Sequence, residues 1–397
     1  EKTRNEHLEK MKITEIWDLE EVKPLFKTVS CVLFFDNFSP KNGTKAWDGK
    51  IFTGKLPYSD LNLISAQKYL DTKKSKFYLS NLGDQTAITK LKTSTHKINY
   101  YKDKFYQGAT IAPRNLYFFD FNQKNPGQLK DKKINIKTSE EINKTAKKPY
   151  KDKKIEGLIS SKYINITCLS NSLIPFGFTR FYKIVLPLIK KPNNLEIFSS
   201  QDMEMDGDLD SSRWFNKAEV IWKKNNKSMT LYERLNYQNL LTKQSLEHKF
   251  VVLYTSSAKD VSAAVFKRNE QELDFIVESK AYCYFTNNLK EAYFLVGFLN
   301  SNYANKMIKD FQTTGEFGHR DIHKRILQVP LTEFKINIKS HNNIADISKE
   351  CESIIKQFIN KQKFDDLSPV KLGKIRLEAR EKISDNLKKI DTILTKL

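Results

Sequence analysis

Glu278 and Lys280 stand one residue apart after the apolar run at 275–277, with Asp274 and Asp260 upstream. Acids and a lysine in that order can hold Mg²⁺ beside an activated water and hydrolyse a phosphodiester. The same Glu-x-Lys spacing recurs at 21–23, 247–249 and 333–335, as a lysine-rich chain produces by chance. His319 and His323 are four residues apart, the interval that would turn two imidazoles to one face of a helix. They lack the glutamate and third ligand that a zinc site needs. With Arg320, Lys324 and Arg325, His323 better suits a phosphate at a helix start, where backbone N–H groups and positive charge act together. Asp321 would cap that helix or orient Arg320, or simply form a buried pair with it. The string GKIFTGK (49–55) approaches a phosphate loop, but Leu56 follows where a hydroxyl must hold Mg²⁺.

These residues need elements to carry them. Val296, Leu299, Tyr303, Ala304 and Met307 recur at helical spacing, and Gly315 and Gly318 break the helix before the basic cluster. Further helical patterns fall at 60–71 and 230–244. Strand patterns fall at 29–35, 110–121, 163–168, 181–189, 218–222, 250–254, 261–266 and 274–285. The expected class is α+β: a mixed, mostly antiparallel curved sheet with flanking helices, plus a C-terminal pair of long helices. Residues 1–28 read as a charged connector with some helix, docked through Trp17, Val22 and Leu25. Residues 199–212 read as a flexible acidic loop. Ten lysines and four acids lie between Lys130 and Lys154. Residues 128–154 are therefore either a solvated insertion or a lysine arm that lies along phosphates, Lys147 and Lys148 among them. Ile344, Ile347, Cys351, Ile354, Ile355 and Phe358 mark one amphipathic helix. Leu372, Ile375, Ala379, Ile383, Leu387, Ile390, Leu394 and Leu397 mark another after Pro369. That hairpin either packs on the body or acts as a spacer to another domain. No internal repeat is visible.

At 397 residues with 39% hydrophobic content, 26 Phe and 17 Tyr, the chain can build real cores. Its net charge of +21 favours a polyanion partner, most directly nucleic acid. Lysine heavily outnumbers arginine, which also suits an AT-rich genome, but that bias does not account for the shortfall of acids. Cys31, Cys168, Cys283 and Cys351 lie far apart, without metal-ligand spacing, and read as free thiols of a reducing cytoplasm. No run of 18 apolar residues exists to cross a membrane, and no signal peptide is visible. A soluble cytoplasmic protein is expected.

A set of segments in fixed order adds a family resemblance. They are LFKTVSCVLFF (25–35), GKLP (54–57), FYQGATIAPRNLYFF (105–119), LIPFGFTRFYKIVLPL (173–188), KFVVLYTSSAKDVSAAVF (249–266), SKAYCYF (279–285) and the stretch from Glu291 to Pro330. Together they resemble the C-terminal, target-recognition part of large N6-adenine DNA methyltransferases of restriction-modification systems. These are the type IIG kind, related to type I specificity domains. In that family a separate catalytic half binds S-adenosylmethionine on a glycine-rich turn and attacks adenine beside an Asn/Asp-Pro-Pro-Tyr/Phe motif. Neither motif is present here; the nearest string is Asn125-Pro126-Gly127-Gln128.

The resemblance implies a connector from a missing catalytic domain at 1–28, a DNA-recognition domain at 29–340 and a helical hairpin at 341–397. It implies no cofactor in this chain, S-adenosylmethionine in the catalytic domain, and two partners: double-stranded DNA and that domain. Candidate DNA contacts are Arg114, Arg180, Gln312, Thr314, Arg320, His323, Lys324 and Arg325, with Lys147 and Lys148 as support. Arginine can read guanine and glutamine can read adenine in the major groove. Arg114, after Pro113, can equally tie two strands together. Two other readings remain. One is a Mg²⁺-dependent nuclease on Asp260 or Asp274, Glu278 and Lys280. The other is a non-enzymatic nucleic-acid-binding scaffold.

Overall fold

The computed structural model describes residues 12–25, 30–36, 46–90, 92, 94–95, 97–122, 132–192, 194–226, 228–312, 314–315, 318–319, 322–362, 364 and 367–397. The class is α+β with mostly antiparallel pairing, as the patterning predicts, but the strands are shared among several sheets. The first sheet runs β2-β1-β3-β4-β5, built from β1 (Lys12–Lys23), β2 (Cys31–Asp36), β3 (Ala46–Lys55), β4 (Leu70–Leu82) and β5 (Gln85–Thr89). Only β1 and β3 run parallel in this row of five.

β1 corrects the expectation of a partly helical connector over its residues. Its apolar side chains serve both faces of the sheet: Ile13 and Ile16 join Trp47 and Phe77, whereas Val22 joins Phe52 and Leu56. Trp17 and Leu25 pack on the second cluster, so the docking residues do dock. GKIFTGK lies within strand β3 rather than in a phosphate loop. The apolar strand β2 sits at the sheet edge with all six residues exposed.

Residues 128–154 are also corrected. From Lys133 onward they form β7 (Lys133–Thr138), the centre of a three-stranded sheet between β6 (Phe119–Phe121) and β8 (Glu156–Ser160), followed by helix α1 (Glu140–Thr145). The alternation in Lys133-Ile134-Asn135-Ile136-Lys137 buries the two isoleucines and turns charge outward. Residues 123–131 fall outside the described residues. The stretch at 199–212 is helical rather than a loop: α2 (Ser200–Met205) and the start of α3 (Leu209–Lys223). Its acids and serines are caps. Ser199 and Asp202 form a capping box, and Asp208 accepts from the Ser211 amide. The apparent strand at 218–222 is the last part of α3, whose face Trp214, Phe215, Ala218 and Trp222 has helical spacing and packs on the three-stranded sheet cluster.

The four-stranded sheet runs β10-β9-β11 and then the short strand Tyr106–Gln107, with β9 (Phe250–Thr255), β10 (Ala263–Lys267) and β11 (Ala281–Thr286). Helices α4 (Leu289–Asn300) and α5 (Asn302–Ile308) follow, then α6 (Lys339–Asn360), α7 (Pro369–Lys382) and α8 (Ser384–Leu394). The pattern at 60–71 yields only one helical turn, Leu63–Ala66, before β4 begins. At 230–244 an α-helix covers only Leu231–Leu235. Strand at 110–121 is confined to β6, after the 3-10 turn Arg114–Leu116.

Ile344, Cys351 and Ile355 of α6 bury in the same core as Leu295, Val296 and Leu299 of α4. Gly297 makes this approach possible, since a Cβ there would meet the Ser348 Oγ at 2.4 Å. Leu372, Ile375, Leu387 and Ile390 of the last two helices join that core too, with a break between the helices at Ile383. The hairpin therefore packs on the body. Leu397, assigned to its stripe, is exposed. Cys168, Cys283 and Cys351 are buried and Cys31 is exposed, all four as free thiols. Among the described residues no helix is long and apolar enough to cross a membrane.

Candidate nucleic-acid interface

One end of the four-stranded sheet gathers residues from three distant parts of the chain. β9 ends at Thr255, opposite Ala281 at the start of β11. The next residue, Ser256, donates its amide to the Lys280 carbonyl at 3.0 Å. Its own carbonyl accepts from the amides of Ile322 (3.2 Å) and His323 (2.9 Å). Tyr254 and Tyr282 stack with ring centroids 5.3 Å apart, and the Tyr254 hydroxyl donates to the His323 carbonyl at 2.9 Å. The Tyr282 hydroxyl lies 3.4 Å from His323 Nδ1. These contacts hold His323 at φ 36, a left-handed conformation uncommon for a side chain with a Cβ. Burial pushes both phenols up.

Arg114 reaches the same place from the other side. Its Nη2 lies 3.3 Å from Glu278 Oε1, and the Ser279 hydroxyl and Lys280 amide also donate to that carboxylate. The backbone closes around the pair: Ala109 N donates to the Val277 carbonyl, and Ser279 N donates to the Ala109 carbonyl. Gly108 permits this, because a Cβ there would meet the Val277 and Glu278 carbonyl oxygens at 2.4 and 2.5 Å. The segment from Phe105 to Arg114 is thus a scaffold that seats Arg114 on a buried carboxylate. Lys280 and Lys324 are exposed beside it and, among the described residues, carry no ion pair.

Asn115 couples this centre to the lysine-rich turn after α1. Its Nδ2 donates to the carbonyls of Tyr150 (2.5 Å) and Lys153 (2.9 Å), while Asn143 pairs with Asp152. Lys144, Lys147, Lys148, Lys151 and Lys153 are thereby displayed on one pinned, exposed segment. Asn115→Ala should speed hydrogen exchange of the amides at 147–153. It should also lower stability by about 1–3 kcal/mol, the cost of two carbonyls left without a donor. Unchanged exchange in that segment would contradict the coupling.

The remaining candidates divide. Arg180 makes a two-pronged contact with Glu141 of α1, at 2.9 and 2.6 Å, and stacks 4.6 Å from the Tyr182 ring. It lies on the lysine-bearing side with its fork already occupied. Gln312 is turned inward: it is 6% exposed, and neither amide atom has a partner among the described residues. It lines a cleft of about 200 Å³ with Asp18, Glu20, Lys90 and Asp310. Thr314 and His319 lie on the paired strands Thr314–Gly315 and Gly318–His319, so His319 and His323 do not share a helix. Arg320 and Asp321 fall outside the described residues. Lys324 caps a four-residue 3-10 helix, Arg325–Gln328, rather than an α-helix start. Arg325 is half-buried.

The residues of the nuclease reading are not assembled for metal binding. Glu278 belongs to an isolated bridge with Ala109, and Ser279 and Lys280 form a turn, not a strand. Asp260 contacts Lys309 at 3.0 Å. Among the described residues no group of three or more His, Cys, Asp or Glu side chains is placed to hold a metal ion. Asn115 and Ser256 were not singled out from sequence. Both act through main-chain carbonyls and amides, which side-chain chemistry does not announce.

No protein-family model and no curated protein matches the chain. Among the solved structures that align with this chain are two restriction-modification enzymes. The type IIL restriction-modification enzyme MmeI, solved in complex with DNA, aligns at 11% identity and a TM-score of 0.49, over 96% of this chain and 43% of that one. The type IIG restriction endonuclease BpuSI aligns at 11% identity and a TM-score of 0.32, over 97% and 44%. The chain spans less than half the length of either.

Proposed function

We propose that this chain is the duplex-DNA target-recognition module of a site-specific adenine-N6 DNA methyltransferase of a restriction-modification system. The observation that carries the reading is the gathering of Arg114, Lys280, His323 and Lys324 at the Ser256 end of one sheet, beside a pinned lysine turn. A net charge of +21 and the ordered segments that resemble such modules support it. Lysines on this surface fix register on phosphates, which carry no sequence information. Base edges are left to side chains with planar or bidentate groups, with Arg320 and Arg325 the arginines nearest the cluster in sequence. The catalytic half, loaded with S-adenosylmethionine, then takes the adenine out of the stack. In this reading residues 29–340 grip DNA and 341–397 brace them.

The test uses fluorescence anisotropy with the full chain. Binding should be tighter to duplex DNA than to single-stranded RNA, and log affinity should fall steeply and linearly with log salt. Incubation with labelled S-adenosylmethionine should transfer no methyl group, and Mg²⁺ should not lead to plasmid cleavage. Preference for single-stranded RNA, or a flat salt dependence, defeats the proposal.

A further inference from the structure

A second basic feature begins three residues beyond Ser256. A groove of about 510 Å³ lies between the loop at Lys259 and Asp260, helix α5, and the junction of α7 with α8. Lys259, Lys306, Lys309 and Arg380 line it against only two carboxylates, Asp260 and Glu381. Lys309 uses Asp260 and the Lys259 carbonyl, at 3.0 and 2.7 Å. Arg380 spends its N–H groups on the Asn300 and Val261 carbonyls and on Asn302 Oδ1, and feels Asp260 and Asp391 only through space. Lys259 and Lys306 are exposed and, among the described residues, have no ion pair.

Packing fixes this excess of positive charge. Lys306 on α5 and Lys309, the residue that caps its C-terminus, stand three apart and both line the groove. Arg380 is held by main-chain oxygens from two other elements. Cations held together in this way repel one another, and an anion relieves that repulsion. Continuity indicates which anion. Ser256 and Lys259 are joined by a span of at most about 11 Å, so the groove begins close to the sheet end at which Lys280, His323 and Lys324 gather.

We propose that the α5–α7/α8 groove is a phosphate track. Lys259 and Lys306 would contact the sugar-phosphate backbone of duplex DNA that runs on from the Ser256 end of the sheet. The proposal rests on the DNA-recognition reading above. The track carries no base specificity, because the two cations assigned to it, Lys259 and Lys306, are point charges directed at phosphates.

Salt titration of the doubly substituted full chain, Lys259→Gln with Lys306→Gln, tests it. The slope of log affinity against log salt should shrink by about 2, with affinity lost equally on duplexes of unrelated sequence. The charge-retaining pair Lys259→Arg with Lys306→Arg should keep the wild-type slope. An unchanged slope in the glutamine pair, with the wild type binding steeply, overturns the track and leaves the DNA reading standing. A wild-type chain that ignores duplex DNA at low salt overturns both. Tighter binding of poly-glutamate than of duplex, abolished by the same pair, overturns the assignment to phosphodiester in favour of an acidic protein.

Discussion

Replacing Lys280 and Lys324 together by glutamine should weaken duplex binding at moderate salt by about 10–100-fold, because two phosphates would no longer be neutralised. Both side chains are exposed and unpaired among the described residues, so they have no folded partner to abandon. Melting should therefore be unchanged, within about 0.5 kcal/mol for surface substitutions. Anisotropy titrations at several salt concentrations separate the two effects. Wild-type affinity in the double variant would remove the Ser256 end of the sheet from the interface. Arg114→Gln is a different experiment, because it also strips a cation from the buried Glu278. It should cost stability as well as affinity.

Arg376→Ala should produce the largest loss of stability we anticipate, about 3 kcal/mol or more. The Arg376 guanidinium reaches the Leu173 carbonyl from Nε (3.1 Å) and Nη2 (2.8 Å), and the Ser170 carbonyl from Nη2 (2.5 Å). It thereby pins α7 to the turn at 170–173. Burial pulls the guanidinium down to about 10, yet it remains charged at neutral pH. Its removal leaves two carbonyls without a charged donor, a loss of about 1.5–3 kcal/mol for each such bond. Arg376→Met keeps the aliphatic stem and should lose nearly as much, which distinguishes the hydrogen bonds from the packing of the stem. Lys374→Ala, on an exposed position of the same helix, should be silent. Chemical denaturation that finds Arg376→Ala as stable as wild type would show that the docking of α7 does not depend on the Arg376 hydrogen bonds.

The stripe through Ile344, Cys351 and Ile355 and the strand at 250–255 were legible because each buries a continuous face at its own period. The helices at 199–212 were hidden because their caps, Ser199 and Asp208, have the composition of a loop. In β7 the two isoleucines that decide its burial are flanked by Lys133 and Lys137, so charge masked the alternation. Read over a short window, Ala218–Trp222 gave a strand, although Trp214 one turn earlier shares the face.

The interface was legible in kind rather than in arrangement. An excess of lysine and the cluster around His323 pointed to a polyanion from sequence alone, since net charge is a sum that needs no coordinates. Which cations are free and which are spent emerged only from packing. Arg114 meets Glu278 across 164 positions of chain, Arg180 meets Glu141 across 39, and Gln312 turns inward rather than toward a base. Periodicity is a local property that a run of residues carries with it. Partnership between distant charges depends on which surfaces the cores bring together, and that is decided only when the chain is folded.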